Sequence, residues 1–132
     1  MSSGKVSWSV ARGYALMGIE NQTREMCLKA VRENGRALQY AKDQTEEICL
    51  EAVRQDGIAV IYVKDQTREI CIEAVRQNGR ALDYVRDQTE EICIEAVMRN
   101  SIAMQYVKDK TPKIWEAAIE SFKKEMTYEK EM

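Results

Sequence analysis

The order of apolar and polar residues along this chain predicts short amphipathic helices that recur at a fixed interval. In the first of them, Met26, Cys27, Leu28, Ala30 and Val31 are the apolar positions. At about 100° per residue they cover an arc of roughly 200°. A surface helix usually has a narrower apolar stripe, so we expect this helix to be covered on two sides by neighbouring helices.

The pattern returns every 22 residues without insertion, which is typical of a repeat protein. Each copy carries the same marks, which are Gln22-Thr23, Gln44-Thr45, Gln66-Thr67 and Gln88-Thr89, then Cys27, Cys49, Cys71 and Cys93, and finally Tyr40, Tyr62, Tyr84 and Tyr106. The predicted full copies are residues 21–42, 43–64, 65–86 and 87–108, with a degenerate half copy in residues 1–20 before them and a terminal segment in residues 109–132 after them.

Each copy is expected to form two helices. Threonine is a good N-cap, and Pro112 directly after Thr111 supports this register because proline favours the first helical position. A glutamate follows in each first turn, where the helix dipole favours an anion. The first helix should end where glycine can take the left-handed conformation, at Gly35, Gly57 and Gly79. A shorter helix, residues 36–41 in the first copy, should then follow.

Two short helices cannot bury such broad apolar faces alone, so the copies must stack. We therefore predict an all-α fold, an α-solenoid of 22-residue helix-turn-helix repeats with a capping C-terminal helix. In the last segment Trp115 replaces the cysteine and Glu116 replaces an apolar residue, as a polar cap requires. We expect Trp8 to have a similar capping role at the N-terminal end of the stack. Leucine-rich repeats and lipid-binding amphipathic arrays share the period, but the leucine-rich pattern is missing and the Asn-Gly breaks do not suit one continuous surface helix.

The repeat unit QTxEICLxAVxxNGxALxYVKD resembles the short helical repeats that are abundant in giant viruses of amoebae and occur in some bacteria. The resemblance is close over residues 21–108 and loose at the ends. That family has no established activity and therefore implies no catalytic residues. It implies an origin in a virus or an intracellular pathogen, with the host cytoplasm as the place of action.

Composition excludes several kinds of chemistry. The 132 residues include no histidine, which excludes a Ser-His-Asp triad, a Cys-His pair and an imidazole metal ligand. Lysine and arginine number 20 against 22 acidic residues, for a net charge of −2, which does not favour a strongly basic nucleic-acid surface. We find no signal peptide and no membrane-spanning stretch, so we expect a cytoplasmic protein without membrane contact, without a cofactor and without a metal.

The four cysteines stand one per copy, whereas metal sites commonly use close pairs. Stacked helices lie about 8–10 Å apart, farther than a disulfide can span. We therefore interpret the cysteines as small buried apolar residues. The four tyrosines are interpreted as half-buried core residues, and a platform on which bases stack is the alternative.

Two rows of basic residues are candidate anion contacts. One row lies in the last turn of each first helix, Arg32, Arg54 and Arg76, and the other at the end of each second helix, Lys42, Lys64, Arg86 and Lys108. The helix dipole favours cations at both places, so the plainer interpretation is that these side chains are solvated and stabilise the helix ends. The alternative is that they form a row of contacts to a nucleic-acid backbone.

Odd and even copies differ at a few positions. The first helical position reads Arg, Glu, Arg, Glu in successive copies, which avoids a column of like charge and favours a ladder of ion pairs. Apolar residues also replace polar ones in the even copies, and these candidate partner-binding residues are Ile58, Ile61, Ile102 and Met98. Local repacking against a neighbouring copy is the alternative interpretation.

These patterns favour binding over catalysis. We expect a non-enzymatic helical-repeat scaffold that mediates protein–protein interaction, for example a viral modulator of a host factor. The alternative function is nucleic-acid binding through the two basic rows. A protein is the expected partner, and a second copy of the chain is another candidate.

Overall fold

The structure, a computed structural model, describes residues 16–131, with the backbone alone for residues 128–131. This part of the chain is helical and contains no strand. Five α-helices are α1 (Arg24–Glu33), α2 (Glu46–Gln55), α3 (Arg68–Gln77), α4 (Glu90–Arg99) and α5 (Pro112–Glu131), and four 3₁₀-helices are η1 (Gly35–Tyr40), η2 (Gly57–Tyr62), η3 (Gly79–Tyr84) and η4 (Ser101–Tyr106).

The helices form two parallel layers that run along the molecule. Each α-helix packs against the next α-helix, and each 3₁₀-helix against the next 3₁₀-helix. Each of η1 to η4 also lies between the α-helix before it and the α-helix after it. The molecule is thus a stack of two-helix units, which confirms the predicted α-solenoid.

The predicted helix starts are confirmed. Thr23, Thr45, Thr67 and Thr89 are the N-caps of α1 to α4, and each hydroxyl oxygen accepts from the backbone N–H three residues on. A glutamate lies in the first turn of each of these helices. Thr111 accepts in the same way from Ile114 N at 3.3 Å. Each α-helix therefore begins at the same point of the repeat.

The prediction that glycine ends the first helix by turning left-handed is wrong. Asn34 ends α1 in an extended conformation, with φ −151°, and its side-chain oxygen accepts from the N–H of Arg36. The same residue thus closes one helix and opens the next. Among the described glycines only Gly18 has a positive φ. Gly35 is needed for another reason: a Cβ there would lie 2.4 Å from the carbonyl oxygen of Ala52 in the next unit.

The second helix of each unit is a 3₁₀-helix that begins at the glycine position. Ala37 N donates to Asn34 O, and Ala41 N to Leu38 O. Six residues in this tight form put Ala37 and Leu38 into the core, while Tyr40 is half-buried. Tyr62, Tyr84 and Tyr106 are half-buried at the same position, as predicted.

At the N-terminal end Leu16 is buried and takes the place that Leu38 has in the first full unit. Its carbonyl oxygen accepts from the Gln22 side chain, as that of Leu38 accepts from Gln44. The rest of the degenerate half copy, with Trp8, lies outside the described residues. At the other end α5 is a single long helix that packs against α4 and η4.

Candidate functional site

One glutamine in each unit ties the start of that unit to its own end and to the unit before it. The Gln66 amide group donates to the carbonyl oxygens of Val60 (3.0 Å) and Tyr84 (3.1 Å), and its oxygen accepts from Arg86 N (2.9 Å). The same bonds are made by Gln22, Gln44 and Gln88. This role was not recognised in the sequence, although a polar residue that recurs beside every cap was the available signal.

The four cysteines are buried and free, as predicted. Burial raises the pKa of every thiol, and for Cys49 and Cys71 it raises the pKa to about 11. The Cys49 thiol donates to the Gln44 side-chain oxygen at 3.8 Å. These thiols therefore form part of the packing between units.

The first basic row is engaged in ion pairs that join successive units. Arg32 Nε lies 2.6 Å from Glu51, and Arg76 Nε lies 2.7 Å from Glu95. Arg54 contacts Glu51 at 3.1 Å and Glu73 at 3.7 Å. The neighbouring arginines lower the pKa of Glu51. The carboxylates reduce the positive field of this row, so it offers less attraction to phosphate than a free arginine row would.

The expected ion pairs between residues at the first helical position do not form, because the arginines there pair diagonally. Arg24 pairs with Glu47 at 2.6 Å and Arg68 pairs with Glu91, so the partner is the second helical residue of the next unit. The glutamate at the first position, such as Glu90, accepts instead from the threonine cap of the following unit. These side chains are exposed, so each pair contributes about 0–1 kcal/mol.

The second basic row lies on the surface beside the unit junctions. Arg86 donates to the carbonyl oxygens of Val63 (2.7 Å) and Lys64 (2.8 Å), and Lys42 Nζ lies 3.4 Å from Glu20 O. Lys64 and Lys108 are exposed at the same position. An aspartate follows each member of the row, and small clefts of about 170 and 360 Å³ open between successive units here.

The apolar candidates do not form one continuous patch. Ile58 and Ile61 both lie on η2, where Ile58 is half-buried against the core and Ile61, one residue before the end of the helix, is exposed. Ile102 is exposed on η4, so η3 with its polar Arg80 lies between it and η2. Met98 is exposed in the other layer, on α4. The structure therefore places these four residues in three separate environments.

Met98 lies where the row of ion pairs stops. It occupies the position of Arg32, Arg54 and Arg76, and Ala117 occupies the position of their glutamate partners. Both members of the pair are thus apolar at the junction of α4 and α5. A groove of about 470 Å³ runs along this junction, and its lining is Ile94, Met98, Lys113, Glu116, Ala117, Glu120, Ser121 and Lys124.

The prediction that the terminal helix presents a polar outer surface holds at Glu116 but is wrong along another side of α5. Four large apolar residues there are between 46% and 54% exposed. They are Trp115, Ile119, Phe122 and Met126. Their spacing of four, three and four residues puts them on one side of the helix, and we call them the α5 stripe. Near its end, Glu125 accepts from the N–H and the hydroxyl of Ser101.

In the described part of the chain, cysteine and acidic side chains nowhere gather in a group of three or more that could hold a metal ion. None of the described helices is long and apolar enough to cross a membrane. The surface features that remain are the groove beside Met98, the α5 stripe and the two basic rows.

Comparison with known families gives a match for the repeat. The model of a domain of unknown function, DUF4116, matches three overlapping segments, residues 23–66, 45–89 and 67–111. Each segment spans about two units, and together they cover residues 23–111 of the 132. A search of curated proteins and a search of solved structures each gave no match. The chain therefore belongs to the family defined by the DUF4116 domain, a repeat domain of unknown function.

Proposed function

We propose that this chain is a non-enzymatic scaffold that binds a helix of a partner protein in the groove between α4 and α5. The observation that carries the proposal is the paired change at Met98 and Ala117. At the three preceding junctions in the described part of the chain an arginine–glutamate pair lies on this surface, as at Arg76 and Glu95. A groove of about 420 Å³ there is lined by these charged side chains. Only apolar atoms replace that pair at the last described junction, so a docking helix would gain apolar contact there.

The shape and charges of the groove indicate the kind of partner. Ile94 and Met98 are four residues apart on α4, and Ala117 and Ser121 are four apart on α5, so two helical ridges border the floor. An amphipathic helix can lay its apolar side between such ridges. The rim carries Glu116 and Glu120 together with Lys113 and Lys124, so it favours a partner helix whose flanks present charges of both signs, since opposite charges across an interface promote association.

The pairing of charges elsewhere supports a protein partner over a nucleic acid. Arg32, Arg54 and Arg76 all have carboxylate neighbours within 4 Å, and the net charge of the chain is −2. Binding to phosphate backbones depends on many uncompensated cations. The resemblance to repeats of giant viruses of amoebae makes a cytoplasmic protein of the host the partner that we expect.

Restoring the repeat at the groove tests this function. The double substitution Met98→Arg with Ala117→Glu recreates the pair of the inner junctions, so it should fold and keep the same helix content. Wild type and the double variant are immobilised in parallel and exposed to lysate of the host cells. We expect at least one bound protein to be reduced about tenfold or more by the double variant, because the apolar floor is replaced by charge.

Ile61→Gln is the matched control, because glutamine occupies this position in the first unit as Gln39 and the side chain lies away from the groove. It should retain the partner at the level of wild type. Equal capture by wild type and the Met98→Arg, Ala117→Glu variant would contradict the proposal. Retention that falls steeply with salt and is removed by nuclease would assign the basic rows to nucleic acid instead.

A further inference from the structure

The α5 stripe is the largest concentration of exposed apolar side chains in the described part of the chain. Nine large apolar residues are markedly exposed among the described residues, and four of the nine belong to the stripe. A fifth, Ile102, is 64% exposed and directly follows Ser101, which is hydrogen-bonded to Glu125 beside the end of the stripe. Such a concentration of apolar surface is typical of an interaction site.

The position of the stripe in the repeat explains why it is uncovered. Trp115 stands at the cysteine position and Ile119 at the position of Val53 and Val75. In the preceding units the side chains at these two positions are at most 3% exposed, because a 3₁₀-helix follows the α-helix and packs against it. No 3₁₀-helix follows Trp115 within the described residues, because α5 continues to Glu131. The surface that a short helix covers elsewhere is therefore open on α5.

The spacing of the stripe matches the seam of a two-helix coiled coil. Trp115, Ile119, Phe122 and Met126 follow the alternation of four and three residues that d and a positions show in a heptad repeat. In an antiparallel pair of such helices, Trp115 of one helix lies opposite Met126 of the other, and Ile119 lies opposite Phe122. Each large side chain then meets another large apolar side chain.

The charges beside the seam favour the same arrangement. Glu116 and Lys123 are exposed and follow Trp115 and Phe122 directly, which makes them the two e positions. Residues at e positions face each other in an antiparallel pair, so Glu116 of one copy would meet Lys123 of the other, twice by symmetry. In a parallel pair the e positions of one helix lie close to the g positions of the other, so Glu116 of one copy would not meet Lys123 of the other.

We propose that the α5 stripe is a homodimer interface, at which α5 of one copy pairs antiparallel with α5 of a second copy about a two-fold axis. The interface lies on a different side of α5 from the groove floor formed with Met98. The dimer therefore goes beyond the proposed partner binding. Glu116 borders both surfaces, so Phe122→Lys, outside the groove lining, and Met98→Arg with Ala117→Glu, outside the stripe, are the variants that distinguish them.

Sedimentation equilibrium over a range of concentrations tests the dimer. Wild type should approach twice the mass of the chain with a concentration dependence that fits one monomer–dimer equilibrium. Phe122→Lys should weaken dimerisation about a hundredfold or more, while circular dichroism shows unchanged helix content. Ile61→Lys, an exposed apolar residue of similar exposure on η2, is the matched control and should dimerise as wild type does.

Charge reversal tests the antiparallel arrangement specifically. Glu116→Lys alone and Lys123→Glu alone should each weaken the homodimer, because each creates two contacts of like charge. A mixture of these two single variants should form a heterodimer, and the variant carrying both substitutions should recover the homodimer. A merely structural role for these exposed residues would not produce this rescue.

Three outcomes would overturn the proposal. One is a wild type that stays monomeric at every concentration up to about 1 mM. A second is a mass that grows beyond the dimer, which would indicate open head-to-tail stacking rather than a two-fold pair. The third is a monomeric wild type whose capture of a lysate protein is lost in Phe122→Lys but kept in Met98→Arg with Ala117→Glu, which would assign the stripe to a different partner.

Discussion

A single glutamine per unit shows how much one polar residue can do inside an apolar stack. The Gln66 amide bonds to two backbone groups at the end of its own unit and to one in the unit before it. No buried side-chain nitrogen or oxygen in the described residues lacks a partner. The sequence displays the recurrence of this glutamine but not its partners, since 18 and 20 residues separate it from two of the bonded groups and only the folding of the whole unit brings them together.

Replacing Gln66 with leucine should destabilise the fold by about 2–3 kcal/mol, because two carbonyl oxygens and one N–H lose their partner in a half-buried place. Gln39→Leu is the control. Its amide donates only to Arg36 O on the exposed side of its own helix, so the change should be within about 0.5 kcal/mol. Urea unfolding followed by circular dichroism measures both. Equal effects of the two substitutions would contradict a linking role for Gln66.

The buried thiols predict a loss of stability in alkaline solution. An unfolded thiol releases its proton near the ordinary pKa of 9.0, whereas the folded state keeps the protons of Cys49 and Cys71 until the pH reaches about 11. The unfolded state therefore binds fewer protons between these values, and the free energy of unfolding should fall as the pH rises from 9 to 11. Urea unfolding at pH 8 and pH 10 measures the change.

The double variant Cys49→Ala with Cys71→Ala is the control for this pH dependence. It will be less stable at pH 8, because two buried sulfurs are removed. Its stability should nevertheless fall less than that of wild type between pH 8 and pH 10. An unchanged pH dependence in the double variant would show that the buried thiols do not cause the alkaline loss.

At the scale of the elements, the sequence predicted the helix starts better than the helix ends. Threonine caps, an acidic first turn and Pro112 are local signals, and local signals can be seen in a sequence. The role of Gly35 is not local, because what excludes a side chain there is the carbonyl oxygen of Ala52, in the next unit. The 3₁₀ form of η1 was missed for a similar reason, since six residues fit either kind of helix and packing decides between them.

The glycines therefore should differ in their tolerance of alanine. A Cβ at Gly57 would lie 2.5 Å from Ala74 O, whereas the nearest atom to a Cβ at Gly79 is the Ala103 Cβ at 3.2 Å. We expect Gly57→Ala to cost about 2–3 kcal/mol because two backbone segments must separate. Gly79→Ala should cost about 1 kcal/mol or less. Thermal unfolding of the two variants provides the comparison, and equal losses would contradict the close approach of Ala74 O as the cause.

At the scale of the whole molecule, the regular features of the stack could be predicted from the sequence, whereas the surfaces where it is irregular could not. Period, core and unit order follow from a pattern repeated four times, so they could be predicted. The groove beside Met98 and the α5 stripe depend on departures from that pattern. The sequence marked Met98 and Trp115 as unusual, but it did not show that Ala117 is Met98's counterpart or that no short helix covers Trp115.

Because each unit contacts only its neighbours, stability should grow with the number of units. A second copy of residues 43–86 inserted between Arg86 and Asp87 adds two units and keeps the alternation of Arg and Glu at the first helical position. We expect the midpoint of thermal unfolding to rise by about 5–10 °C, with helix content per residue unchanged. Inserting residues 65–86 alone adds one unit and places Arg68 next to its own copy, so the gain per added unit should be smaller and should increase with salt. A midpoint that stays level or falls after the double insertion would mean that the units do not stack as independent neighbours.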